Sequence, residues 1–147
     1  MAVSFYFSGH RYMNQFLKKY LGSVYLPILW TLIIAFLLSI PGTMLPNESH
    51  FSIPQFDKLV HISLFGGFVL SWNFYLSRRS LSSLRLLRWF FFIFILGNSF
   101  GIGMEFVQKY FIPFRDFDTE DIIADMIGAG LGYGVSNVFF AGGRNVE

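Results

Sequence analysis

Four apolar segments alternate with short polar segments along this chain. They cover residues 22–40, 59–76, 89–111 and 122–140, and each is about as long as a helix needs to cross a hydrocarbon core of roughly 30 Å. Backbone N–H and C=O groups within lipid must bond to one another inside a segment, so each segment is predicted to be helical. The pattern predicts an all-α fold, a four-helix transmembrane bundle that forms one domain over residues 1–147.

The composition favours a membrane protein over a soluble one. Hydrophobic residues make up 54% of the chain and charged residues 14%, whereas soluble domains carry about 25% charged residues. The 20 phenylalanines add more apolar bulk than a domain of 147 residues would bury internally. The chain has no cysteine, which excludes a disulfide framework and thiol chemistry.

Basic and acidic residues fall at opposite ends of the predicted helices. The positive-inside rule then places both termini in the cytoplasm, with residues 77–88 as a cytoplasmic loop and the first span as a retained signal anchor. The inner basic set is Arg11, Lys18, Lys19, Arg78, Arg79, Arg85, Arg88 and Arg144. The outer set is Glu48, Asp57, Glu105, Asp116, Asp118, Glu120, Asp121 and Asp125, with Lys58, Lys109 and Arg115. The basic residues behind the formal charge of +2 are therefore explained by membrane topology. For this reason no nucleic-acid partner is predicted.

Polar residues from three predicted helices lie at nearly the same depth. His61, Glu105 and Asp125 are about 25 to 28 Å along their helices from the basic residues at the opposite end. Ionisable residues within a span are costly and usually face protein or a water-filled cavity. We therefore predict that His61 and Glu105 lie within hydrogen-bond reach, directly or through one water, and that Arg115 folds over the carboxylates. The predicted ligand-binding set is Asp57, His61, Glu105, Gln108, Arg115, Asp118, Asp121 and Asp125.

Simpler roles for these residues stay open at this stage. Asp57 could cap the second helix and Asp118 the fourth, while Lys58 and Lys109 could extend towards the interface. In that case the polar set only holds the helices together. One histidine with several carboxylates would also suit a cation, but spacing alone does not define ligands. No metal and no cofactor are predicted.

Small residues recur at four-residue spacing in the last two spans. Ala124, Gly128 and Gly132 share one face of the fourth span, and such spacings allow helices to approach closely in lipid. Gly130 and Gly134 lie on another face. The pattern predicts that the Gly128 face contacts a neighbouring helix.

The polar segments also resemble the VanZ-like family of membrane proteins. That family shows a D-K-x-x-H segment opening one helix, a G-x-x-x-E-x-x-Q segment closing the next, and R-x-x-D-x-x-D before an N-x-x-G helix. Order and spacing agree over residues 57–132. This chain has Asp125 where the family usually has asparagine, which adds a negative charge to the site. The matching segments are DKLVH at 57–61, GIGMEFVQ at 101–108, RDFDTED at 115–121, and the glycines Gly128 and Gly132.

The resemblance implies a multi-pass protein of the bacterial cytoplasmic (inner) membrane linked to low-level resistance to the glycopeptide teicoplanin. We then expect a binding protein that recognises an envelope lipid or precursor head group at the outer leaflet. Membrane lipid is the expected partner, with an envelope precursor or the glycopeptide itself as further candidates. The first alternative is an enzyme in which Glu105 and His61 form an acid–base pair on a lipid-linked substrate. The second alternative is a structural membrane protein without a ligand. The sequence does not specify an oligomeric state.

Overall fold

The computed structural model describes residues 22–44 and 55–141. These ranges contain four α-helices, a 3-10 turn after the first helix and a π-helical turn after the last, and they contain no strand. The predicted all-α class is confirmed. The predictions on Arg11, Lys18, Lys19, Glu48, Arg144 and the signal anchor fall partly or wholly outside the described residues. The helices are α1 (Tyr25–Leu38), α2 (Phe56–Ser77), α3 (Ser83–Phe111) and α4 (Thr119–Ser136); the turns are Gly42–Met44 and Asn137–Ala141.

Three of these helices are long and apolar enough to cross a membrane. They are Phe56–Ser77, Ser83–Phe111 and the continuous helical stretch Thr119–Ala141. The described part of the first predicted span is α1, an apolar helix of 14 residues, which covers about 21 Å at 1.5 Å per residue. Large apolar side chains stay exposed on every helix, among them Phe36, Phe92, Ile123 and Leu131. Exposed apolar surface of this extent suits a hydrocarbon environment.

The loop between α2 and α3 is shorter than the sequence predicted. Helix α3 already begins at Ser83, so Arg85 and Arg88 lie in its first turns rather than in a loop. The prediction was wrong here because it equated a helix with its apolar part. A helical backbone continues through the interface, where long basic side chains reach polar surroundings while their stems stay apolar.

Helices α2 and α4 pack in parallel through backbone contacts at glycines. A Cβ atom added to Gly128 would lie 2.3 Å from the carbonyl oxygen of Ile62, and one added to Gly132 would lie 2.6 Å from that of Gly66. Cβ atoms added to Gly130 or Gly134 would meet nothing within 4 Å. The predicted contact face of the fourth span is therefore confirmed.

Helices α1 and α3 are attached to this pair by directed contacts. Trp30 of α1 lies against Gly67 and donates its indole N–H to the Leu64 carbonyl of α2 at 2.9 Å. The amide Nε2 of Gln108 on α3 donates to the Leu38 carbonyl at the end of α1 at 2.9 Å. These contacts bring the C-terminal ends of α1 and α3 together with the N-terminal ends of α2 and α4.

Candidate functional site

A network of ionic side chains lies where α2 and α4 begin and α3 ends. We call it the polar cluster and define it as Asp57, Lys58, His61, Glu105, Asp118, Asp121 and Asp125. Lys58 lies in the first turn of α2, next to Asp57, and Asp121 in the first turn of α4. Asp118 caps α4, since its carboxylate accepts from the backbone N–H of Glu120 at 2.7 Å. The capping role considered for Asp118 is thus confirmed.

Lys58 is the cation at the centre of the polar cluster. Its Nζ lies 2.5 Å from Asp118 Oδ2, 2.6 Å from Asp121 Oδ1 and 3.1 Å from Asp57 Oδ2. Only 15% of its side chain is exposed, so the suggestion that Lys58 merely extends to the interface is wrong. The ammonium joins the N-terminal ends of α2 and α4 through charge-assisted hydrogen bonds.

The contact with Lys58 also acts on the outermost carboxylate. Asp118 accepts a hydrogen bond from the Lys58 ammonium, which holds the pKa of its carboxyl below the ordinary value for aspartate. A lowered pKa means that this pair stabilises the fold at neutral pH, and that its contribution is lost as the pH falls through the lowered value. Asp118 therefore stays ionised and paired with Lys58 under physiological conditions.

His61 lies between two carboxylates of α4. Its Nδ1 is 2.8 Å from Asp125 Oδ1, and its Nε2 is 3.6 Å from Asp121 Oδ2. All three side chains are buried. The Nδ1 separation is a hydrogen-bond distance, whereas 3.6 Å is too long for a hydrogen bond, so Asp125 is the bonded partner of the imidazole and Asp121 only faces its other nitrogen.

Glu105 approaches the same site from α3. Its Oε2 accepts the backbone N–H of Asp118 at 2.9 Å, which ties the end of α3 to the start of α4. Among the described residues, no hydrogen bond joins Glu105 to His61. His61 binds Asp125 instead. The direct hydrogen bond predicted between His61 and Glu105 is therefore not formed, because shared depth brings the three residues together without determining which carboxylate faces the imidazole.

Two oxygens of the polar cluster have no hydrogen-bond partner among the described residues. They are Glu105 Oε1 and Asp125 Oδ2, on side chains that belong to residues 0% and 1% exposed. Buried acceptors are normally paired, and an unpaired one costs about 1–3 kcal/mol. The Asp125 oxygen lies against α3 at Gly101, where an added Cβ would approach it to 2.6 Å.

Arg115 and Gln108 differ from the rest of the predicted set. Arg115 forms no ion pair with any described residue, and its buried Nε has no partner there, so the expectation that it folds over the carboxylates is not met. Gln108 uses its Nε2 to hold α1. The other six predicted residues do converge, and Lys58 is the member that the sequence analysis missed. Its position directly after Asp57, at the start of a span otherwise poor in cations, was the available signal.

The carboxylates around Lys58 also have a spacing that could hold a metal ion. One oxygen from each of Asp57, Asp118 and Asp121 lies within 4.8 Å of the others. The Lys58 ammonium already contacts all three groups, and a divalent cation would have to displace it. The donor set thus suits an internal ammonium better than a resident metal.

Comparisons with known proteins give one informative relative. An uncharacterized protein of Schizosaccharomyces pombe (strain 972) is 37% identical over 83 residues, which covers 54% of this chain and 45% of that protein. The chain thus spans less than half the length of this relative. No solved structure matches the chain. No protein-family profile matches it either, so the VanZ-like resemblance stays a prediction and the fold rests on its own geometry.

Proposed function

We propose that this chain is a multi-pass membrane protein that binds the polar head group of a membrane lipid, or of a lipid-linked envelope precursor, at the polar cluster. The observation that carries the proposal is the pair of fully buried carboxylate oxygens, Glu105 Oε1 and Asp125 Oδ2, without a described partner. A bound group that donates hydrogen bonds to both would offset the cost of burying them.

The position of the polar cluster favours a ligand from the membrane interface. Exposure falls from the end of the bundle inwards: the side chains of Asp57 and Asp118 are 42% and 44% exposed, whereas Glu105 is fully buried. The helices below are apolar on their outer faces. A lipid whose tails lie against these faces would bring its head group to this depth.

The finer parts of the proposal rest on the resemblance to the VanZ-like family. They are an outer-leaflet site, a bacterial cytoplasmic membrane, an envelope precursor or glycopeptide as partner, and a link to teicoplanin resistance. Lipid binding is the broader part of the proposal, because it could also apply to the relative in Schizosaccharomyces pombe. Glycopeptide resistance is narrower, because it requires a bacterial envelope. Comparing teicoplanin susceptibility of cells with and without the protein tests the narrower part.

The enzymatic alternative has less support from the geometry. It required Glu105 and His61 to act as an acid–base pair, but His61 binds Asp125 and faces Asp121 with its other nitrogen. A general base needs a ring nitrogen directed at the substrate proton. Both ring nitrogens are directed at carboxylates here, which favours binding over proton transfer.

Replacing Glu105 by glutamine is expected to reduce the amount of co-purified lipid about tenfold. The amide oxygen must take the Oε2 position to accept the Asp118 N–H, so the amide nitrogen replaces Oε1. The N–H groups of the amide then face the hydrogen-bond donor of the ligand, and no hydrogen bond can form between them. Loss of one charge-assisted hydrogen bond weakens binding by about a factor of ten or more. Extraction and mass spectrometry of lipid bound to the detergent-purified protein measures the effect.

Glu120→Gln is the matched control for this measurement. Glu120 lies in the same first turn of α4, but its side chain is 70% exposed, so lipid retention should stay at the level of the unmodified protein. Equal losses in both variants would mean that overall charge, rather than the buried oxygen, retains the lipid, and would contradict the proposal.

The orientation is expected to place the polar cluster at the outer leaflet. The arginines Arg78, Arg79, Arg85 and Arg88 lie at the opposite end of the described bundle from the polar cluster, as the positive-inside rule requires. A topology reporter inserted at Ser82 should therefore give a cytoplasmic signal, and one inserted near His50 an external signal. A cytoplasmic signal at His50 would move the site to the inner leaflet.

A further inference from the structure

The charges around the polar cluster limit the types of head group that could bind there. This inference rests on the proposed function, that the polar cluster binds a head group. We infer that the bound head group is a zwitterion with a primary ammonium, which donates to Glu105 and Asp125, and a phosphate, which contacts Arg115. Two carboxylate oxygens of the site and one cationic donor in the loop beside it have no hydrogen-bond partner in the described part of the chain.

The acceptor side of the site selects a group with several N–H donors. Asp125 Oδ2 lies against α3 at Gly101, and Gly101 and Glu105 are four residues apart, which makes them neighbours on one helix face. Carboxylates outnumber Lys58 and His61 in the polar cluster, even if the imidazole is protonated, so an anionic group there would be repelled. A primary ammonium offers three donors, whereas a hydroxyl offers one.

Arg115 supplies the complementary charge close by. It lies in the loop from Ile112 to Asp118 that follows α3, and its Nε is buried without a partner among the described residues. Asp118, three residues further on, binds Glu105 through its backbone N–H, and three residues of chain span at most about 11 Å. Arg115 is therefore close enough along the chain for its long side chain to reach a small ligand held at Glu105. A guanidinium pairs well with phosphate oxygens through parallel hydrogen bonds.

Two related head groups separate this chemistry from general lipid binding. Phosphatidylethanolamine carries the phosphate and a primary ammonium, whereas phosphatidylcholine carries the same charges with a quaternary ammonium that has no N–H to donate. Phosphatidylglycerol has hydroxyl donors and a net negative charge. Only the first satisfies both carboxylate oxygens and Arg115 without adding negative charge to the site.

The test reconstitutes the full chain in nanodiscs that contain equal amounts of the three lipids and measures lipid retained on extraction into detergent. We expect phosphatidylethanolamine to be retained about tenfold over phosphatidylcholine, the difference expected from charge-assisted hydrogen bonds that only one of them forms. Arg115→Gln should reduce retention of both zwitterionic lipids, because the phosphate loses its partner. Lys109→Gln, which removes an exposed cation from the same end of α3, should change neither.

Soluble head groups identify the source of the ligand. Thermal stabilisation of delipidated protein by glycerophosphoethanolamine is compared with that by glycerophosphocholine. A preference for the ethanolamine form in the lipid pair alone assigns a membrane lipid, and a preference in the soluble pair alone assigns a diffusible zwitterion; both support the ammonium–phosphate chemistry.

Three results overturn the inference in distinguishable ways. Equal retention of phosphatidylethanolamine and phosphatidylcholine, with no preference in the soluble pair, removes the ammonium contact but leaves head-group binding intact. Equal effects of Arg115→Gln and Lys109→Gln remove the phosphate contact. Retention of no lipid in any nanodisc, together with no stabilisation by either soluble head group, removes the proposed function as well. The lipid comparison uses the unmodified chain, so it stays decisive even if a variant fails to fold.

Discussion

Replacing Gly128 by leucine is expected to separate α4 from α2 and to prevent the bundle from folding stably. Even a Cβ atom at this position would lie 2.3 Å from the Ile62 carbonyl oxygen and 2.8 Å from the Ile62 Cα. The obstruction is backbone, which no side-chain rotation relieves. Overpacking usually costs 1–3 kcal/mol and more when the backbone must shift, so we expect a loss of about 3 kcal/mol or more. Thermal unfolding in detergent measures the loss.

The same helix offers a matched control for this substitution. Gly130 and Gly134 have nothing within 4 Å of an added Cβ, so Gly130→Leu introduces the same side chain on a face directed away from protein. Its unfolding temperature should stay near that of the parent chain, and Gly128→Ala should fall between the two leucine variants. Similar unfolding temperatures for Gly128→Leu and Gly130→Leu would show that the α2–α4 contact does not limit stability.

Sequence reasoning succeeded where the determining pattern runs along a single helix. Hydropathy located the helices because each must satisfy its own backbone in lipid. The four-residue spacing of Ala124, Gly128 and Gly132 distinguished a contact face from the face of Gly130 and Gly134 because helical periodicity alone sets these directions. The depth of His61, Glu105 and Asp125 followed from the constant rise per residue. That six of the eight residues predicted to form the site converge is a consequence of this shared depth.

Sequence reasoning failed where pairing depends on how one helix is rotated against another. The choice between Glu105 and Asp125 as partner of His61 is set by the close approach of α2 and α4, which depends on backbone contacts at Gly128. The expectation that Arg115 folds over the carboxylates failed because Arg115 lies in the loop between α3 and α4, whose course helical spacing does not determine. Asn73 also went unnoticed: it is fully buried, with both amide atoms unpartnered among the described residues. Its polar side chain within an apolar span was the signal that could have identified it.

Replacing Lys58 by methionine is expected to destabilise the bundle by about 3 kcal/mol, because removing one partner of a buried ion pair leaves the other charge uncompensated. Methionine keeps the apolar stem but removes the ammonium that contacts Asp118 and Asp121. Asp121 is buried, with 11% of its side chain exposed, and should account for most of the loss. The pair with Asp118 is 44% exposed on the acidic side, and solvent reduces its contribution. The free energy of unfolding in detergent measures the sum.

A double-variant cycle assigns this loss to the ion pair rather than to packing. Asp121→Asn alone removes the charge that Lys58 neutralises, and the combination Lys58→Met with Asp121→Asn leaves no buried carboxylate opposite the missing ammonium. If the Lys58–Asp121 pair causes the destabilisation, the double variant should lose less stability than the two single variants lose together. The expected difference is about 1–3 kcal/mol. Lys109→Met removes an exposed cation at the same end of α3 and should cost little. Strictly additive losses would show that Lys58 does not stabilise the bundle through its contact with Asp121. In that case the start of α4 would be held to α2 by the His61–Asp125 contact, the glycine face and the Lys58–Asp118 pair, without a contribution from Asp121.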